Sequence, residues 1–165
     1  MLEEHWEVIH DFPTYSVSDL GNVMNNKTVR DMHLTLTRQG DVKVGLVKAG
    51  KQYTRSVKVL VAEAFVPGED DLFDTPTQLD GHQHNNRADN LVWRPRWFAW
   101  KYTRQFSESS SNNNAGPIFD MDTRERYADV YEAATVNGLL FKDVWRSINL
   151  GLPCFPTHQV FAFVR

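Results

Sequence analysis

Asp80, His82 and His84 cluster just past a Leu79-Asp80-Gly81 turn signal. An imidazole can take a proton from water near neutral pH, and a carboxylate beside it can hold a divalent cation; metal-assisted hydrolysis asks for both. The Asp–x–His spacing offers that pair. The same three residues also serve as ordinary polar side chains of a surface loop. Their place after the turn, rather than on a strand, limits what they can reach.

The chain around them has to position whatever chemistry exists. Residues 57–65 (VKVLVAEAF) are apolar enough to be buried, and Pro67-Gly68 ends that run. An acidic loop follows. After the turn comes Asn85-Asn86-Arg87-Ala88-Asp89-Asn90-Leu91, closed by Trp93. Paired Asn residues near an Asp-Gly turn predict a tight strand–loop–helix unit whose side-chain amides pin the loop backbone.

This stretch closely resembles the HNH homing endonucleases of phages and introns. Leu60-Val61-Ala62, Ala64-Phe65, Pro67, Asp80-Gly81, Asn85-Asn86, Asn90-Leu91 and Trp93 all stand where that family has them. The departures fall on the chemistry. The family's general-base His falls on Gln78, its neighbouring metal-binding Asp or Asn on Thr77, and its second metal-binding Asn on Ala99. The upstream His of the family falls on Lys58. Asn90 remains, with the role of bracing the loop that the resemblance implies for it. A Gln takes no proton near neutral pH, and Thr and Ala are poor or null ligands for hard cations. The resemblance therefore implies a degenerate nuclease with no intact catalytic residue and no metal. Asp80, His82 and His84 are possible substitutes, with Mg²⁺ or Mn²⁺ as the cofactor if they act.

Upstream, residues 3–56 read as short strands and turns. Val42 to Leu46 alternates with period two, and Ala49-Gly50 is a hairpin signal. Trp6, Ile9, Phe12, Tyr15, Val17, Ser18, Gly21 and Val23 resemble the nuclease-associated module that precedes HNH units, which implies a sheet lying against DNA. Its candidate contacts are Lys27, Arg30, Arg38, Lys43, Lys48, Lys51 and Arg55. Downstream, residues 94–106 (RPRWFAWKYTRQF) interleave basic and aromatic residues, as nucleic-acid-binding segments do. Arg94, Arg96, Lys101 and Arg104 are candidate phosphate contacts, while Trp97 and Trp100 are expected to pack on the sheet.

Residues 107–116 (SESSSNNNAG) read as a polar linker. Beyond it, Asp129 predicts a helix cap, Asn137-Gly138 a stop, and a second helix runs from Phe141 to Asn149. Gln159 to Val164 reads as a closing strand. Thr123, Tyr127, Glu132-Ala133-Ala134 and Gly138-Leu139 resemble the intron-encoded nuclease repeat, which implies a second helix in the major groove with Lys142, Arg146 and Asn149 reading DNA. The apolar stretch Leu150 to Pro156 stands where the repeat has a basic loop.

The fold class expected is α+β: an N-terminal antiparallel sheet with a degenerate ββα unit, then a small strand and helix-turn-helix domain. The expected divisions are 1–56, 57–106, a linker at 107–116, and 117–165. A net charge of −3 is unusual for a nucleic-acid binder and keeps a protein partner in view. A single cysteine rules out an intrachain disulfide and fits a reducing cytoplasm, here that of a phage-infected host. The N-terminus lacks an apolar signal core, and no apolar run reaches membrane-spanning length. Double-stranded DNA is the expected partner.

Overall fold

Short antiparallel strands dominate the first half of the chain, because its apolar residues alternate and its turns are marked by Gly, Asn and Asp. A computed structural model describes residues 3–108 and 116–164. Strands β1 (Trp6–Val8), β2 (Tyr15–Ser18), β3 (Val23–Asn25) and β4 (Arg30–Asp31) pair in sequence order. Strands β5 (Leu34–Leu36), β6 (Val42–Lys48) and β7 (Lys51–Ser56) form a second antiparallel sheet. Val44 and Leu46 of β6 are buried, as the period-two pattern predicts. Lys48 pairs with Lys51 across the β6–β7 turn. Ala49 and Gly50 between them have φ of 52° and 76°, the two left-handed residues that a tight hairpin of matching twist requires.

Helix α1 (Val57–Phe65) follows directly. Val57, Leu60 and Val61 fall three and four apart, so one face is buried. Strands β8 (Thr75–Gln78) and β9 (Leu91–Arg94) then pair, with Gln78 opposite Leu91 and Thr77 opposite Val92. Helix α2 (Arg96–Glu108) completes the ββα arrangement. The Trp93 indole Nε1 donates to the Val66 carbonyl at 2.8 Å and ties β9 to the end of α1.

Val17, Val23, Leu46, Val57, Val61 and Trp93 belong to one apolar core. Residues on both sides of position 56 therefore share a core. Backbone contacts divide the chain into two compact units, Met1–Ala99 and Trp100–Arg165. The division falls within α2 rather than at 107–116. Of that expected linker, residues 109–115 lie outside the described range, and Ser107 and Glu108 are helical.

In the second unit, β10 (Ile118–Asp120) lies between β11 (Arg126–Tyr127) and β12 (Phe161–Phe163). The closing strand is shorter than the expected Gln159 to Val164; the Gln159 side chain donates to Asp120 and Asn137 (2.8 and 3.2 Å). Helix α3 (Val130–Asn137) is capped by Asp129, whose Oδ1 accepts from Glu132 N–H at 2.8 Å. Gly138, at φ 62°, ends α3 in the left-handed conformation that glycine adopts without strain. Helix α4 (Phe141–Leu150) follows after three residues and ends at Gly151, φ 66°. Ile118, Val130, Ala134, Leu139, Val144 and Phe161 form this unit's own core.

Two expectations about aromatic packing are corrected. Trp97 and Trp100 do not pack on a sheet; they are 51% and 59% exposed. The buried face of α2 is Phe98, Ala99 and Tyr102 instead, with Phe106 packed against the second unit's core.

Candidate functional site

Asp80 organises the loop between β8 and β9. The Asn90 side chain grips it twice: Asn90 Nδ2 donates to Asp80 Oδ1 at 3.0 Å, and Asn90 Oδ1 accepts from Asp80 N–H at 3.1 Å. Asn90 Nδ2 also donates to the Asn85 carbonyl at 2.9 Å. Asn85 Nδ2 donates to Asp80 Oδ2 at 2.7 Å, and His82 N–H to Asp80 Oδ1 at 2.8 Å. Partial burial pushes the Asp80 carboxyl up. The hydrogen bonds from Asn85, His82 N–H and Asn90 outweigh that and hold it below the usual carboxylate range. An Asp this well satisfied is a loop brace.

The loop is fastened to the N-terminal strands at three points. Ala88 N–H donates to the Asp19 carbonyl at 2.8 Å. A Cβ on Gly21 would meet the Asn86 carbonyl oxygen at 3.3 Å. A Cβ on Gly40 would stand 1.6 Å from Gln83 Oε1, so only glycine admits that side chain where it lies. Sequence reading missed all three, since a close backbone approach leaves no spacing signature.

The three positions on which the resemblance would place nuclease chemistry are buried. Gln78 is buried on β8, and its Nε2 donates to Asn86 Oδ1 at 2.9 Å and toward the Gln83 carbonyl at 3.4 Å. Thr77 is buried beside it, its hydroxyl donating to the Thr75 carbonyl at 3.3 Å. Ala99 presents a methyl group on the buried face of α2. A hard divalent cation favours several oxygen donors with at least one carboxylate among them; these three residues offer an amide oxygen, a hydroxyl and a methyl group and no carboxylate, so the set does not fit one. Among the described residues, no group of three His, Cys, Asp or Glu side chains could hold a metal ion. His82 is exposed, with Nδ1 3.6 Å from Asp80 Oδ2, and His84 is exposed nearby on the loop.

The candidate DNA contacts differ in setting. In the first unit, Lys27, Arg30, Arg38, Lys48, Lys51 and Arg96 are exposed, and Lys43 is half-buried. Arg55 is held over the rings of Phe12 and Tyr53, 5.1 and 5.5 Å from their centroids. Arg94 departs from the expected surface set: it is buried, donates to the Trp93 carbonyl at 2.9 Å and lies over the Phe98 ring. In the second unit, Lys101 is exposed, and Arg104 stacks over Trp100 at 4.5 Å while pairing with Glu108 at 2.7 Å. Lys142, Arg146 and Asn149 are exposed along α4. Arg146 Nη1 lies 4.0 Å from Asp143 Oδ1, and Asn149 Nδ2 donates to the Trp145 carbonyl at 2.7 Å. Gln105, unremarked in the sequence, holds the start of α4: its Oε1 accepts from Phe141 N–H at 2.9 Å and its Nε2 donates to the Leu139 carbonyl at 3.3 Å.

A ββα loop braced by Asn90 thus lies between the N-terminal strands and a C-terminal pair of short helices in chain order. Residues 4–48 match the NUMOD4 motif. The chain is 33% identical over 79 residues to the DNA endonuclease I-HmuI of Bacillus phage SP01, a match covering 48% of this chain and 45% of that protein. It is 30% identical over 83 residues to the uncharacterized HNH endonuclease L247 of Acanthamoeba polyphaga mimivirus, covering 50% of this chain and 21% of the relative. The chain thus spans less than half the length of either curated relative. A solved structure of the HNH homing endonuclease I-HmuI, described for DNA binding and cleavage, superposes with a TM-score of 0.57 at 24% identity, covering 97% of this chain and 98% of that one. About half of the chain is thus similar in sequence to HNH endonucleases, and the superposition shows a shared α+β fold, with several antiparallel sheets and four α-helices among the described residues. Among the described residues, no helix is long and apolar enough to cross a membrane.

Proposed function

We propose that this chain binds double-stranded DNA and does not cleave it. The observation that carries the second half is the buried amide of Gln78, which donates to Asn86 at the position where the family has its base. An amide does not accept a proton from water near neutral pH, and this one gives its two N–H groups to Asn86 Oδ1 and the Gln83 carbonyl. Thr77 and Ala99 supply no anion beside it. Losing the base and the metal ligands together removes orders of magnitude from a hydrolysis rate.

Binding rests on the exposed Lys and Arg residues of the N-terminal strands and α2, which meet phosphates, and on α4, which follows α3 through a three-residue turn containing Gly138. In helix-turn-helix proteins the second helix enters the major groove. Phosphate contacts position the protein, and base contacts from Lys142, Arg146 and Asn149 select the site. Acting on DNA, the chain works inside the host cell, where its single cysteine stays reduced.

The Asp80–His82 pair supports a second reading, an active nickase that uses the exposed imidazole as its base. One experiment separates the readings. The protein is incubated with supercoiled plasmid and Mg²⁺ or Mn²⁺, and its duplex affinity is measured across a salt series. The proposal expects no nicked plasmid and an affinity that falls steeply with salt, by about 0.9 log unit per log unit of salt for each phosphate contacted. Nicking that is abolished by His82→Ala overturns it in favour of the nickase. Salt-independent or absent duplex binding overturns it in favour of a protein partner.

A further inference from the structure

We propose that the pocket at the exposed side of α4 reads one A·T base pair, with an apolar wall that detects the thymine methyl group. This deepens the DNA-binding reading above and rests on it. The pocket has a volume of about 260 Å³ and is lined by Asp143, Arg146, Leu152, Pro153 and Phe155. It joins three chemistries: a carboxylate that accepts, a guanidinium that donates, and a hydrocarbon surface.

The wall is held in place. Gly151 turns the chain back at the end of α4. Cys154 is buried in the unit's core, and its N–H donates to the Gln159 carbonyl at 2.9 Å. Leu152 nevertheless stays 43% exposed, so the anchored loop presents an apolar side chain to solvent beside an arginine. Asp143 and Arg146 sit one helical turn apart, with Arg146 Nη1 and Asp143 Oδ1 separated by 4.0 Å. That separation leaves both groups able to engage a third partner.

In the major groove an A·T pair displays the adenine N6 donor, the thymine O4 acceptor and the thymine C5 methyl. Asp143 accepts from N6, Arg146 donates to O4, and Leu152 with Pro153 and Phe155 covers the methyl. A C·G pair also shows a donor beside an acceptor, N4 then O6, so the charged residues alone do not separate the two. Next to O6, however, guanine carries its N7 acceptor, which the hydrocarbon wall would leave without a donor. The apolar loop makes the choice.

The test starts from duplexes selected by the full chain out of a randomised library. Each thymine of a selected duplex is replaced in turn by deoxyuridine, which removes the methyl and keeps O4. The expected result is one position at which deoxyuridine weakens binding about fourfold, the effect of withdrawing one buried carbon from contact. Leu152→Ala should bind the thymine and deoxyuridine duplexes more nearly alike. Equal binding of all deoxyuridine duplexes by the unaltered protein overturns the inference and leaves the DNA-binding reading standing. A library that yields no preferred duplex and no salt-sensitive binding overturns both.

Discussion

The side-chain amide of Gln78 donates to Asn86 Oδ1 across 2.9 Å, inside the loop that Asp80 and Asn90 hold closed. Both residues are buried. A buried amide pair is costly to leave half made, so Gln78 and Asn86 hold the loop to β8 as a unit. Replacing Gln78 with Leu should strand the Asn86 acceptor and destabilise the protein by about 1–3 kcal/mol. Gln78→Leu with Asn86→Leu should recover part of that loss, as measured by a double-mutant cycle in denaturant.

Asp80 makes stability depend on acid. Its folded pKa lies below the unfolded carboxylate value of about 3.9. The stability it contributes is therefore fully present above that value and is lost as pH falls through the lower folded value. Asn90→Ala removes one of the bonds that hold the pKa down, from Asn90 Nδ2 to Asp80 Oδ1. That variant should be less stable at neutral pH and lose less on acidification below about pH 4 than the unaltered protein. Equal acid sensitivity in the two would show that Asn90 does not tune Asp80.

Gly40 tests the seam between the N-terminal strands and the loop. Its φ of 85° and its approach to Gln83 both oppose a side chain. Gly40→Ala should cost at least about 1–2 kcal/mol for the left-handed backbone, plus the displacement of Gln83. In a Gln83→Ala background only the backbone part should remain. Thermal melts of the four proteins separate the two contributions.

The elements of the fold were legible where local signals agreed. Alternation in Val42 to Leu46 marked a strand, and Asp129 and Gly138 marked the two ends of one helix, because caps and left-handed stops act through neighbouring residues. The burial of α2 was not legible. Phe98, Tyr102 and Phe106 repeat every four residues, but Trp97 and Trp100 form a second apolar row on the same helix, and composition does not say which row faces inward. The bond from Gln78 to Asn86 was not legible either. Amide pairs across a loop have no characteristic spacing, and the single core shared across residue 56 arises only when the strands assemble.

Gln105 offers a check on the second unit. It bonds to both Phe141 N–H and the Leu139 carbonyl at the start of α4. Removing a helix-capping side chain typically costs about 1 kcal/mol, so Gln105→Ala should lower stability by that order. If α4 positions the base-reading residues, the same variant should weaken discrimination between DNA sequences more than it weakens salt-sensitive, sequence-independent binding.

Restoring the family residues tests the central claim most directly. Supercoiled plasmid is incubated with Mg²⁺ or Mn²⁺ and either the unaltered protein or the triple variant Thr77→Asp, Gln78→His, Ala99→Asn. Open-circular product is then followed over time. The account predicts no nicking by the unaltered protein and metal-dependent nicking by the triple variant, with both binding the plasmid at low salt. Metal-dependent nicking by the unaltered protein would contradict it.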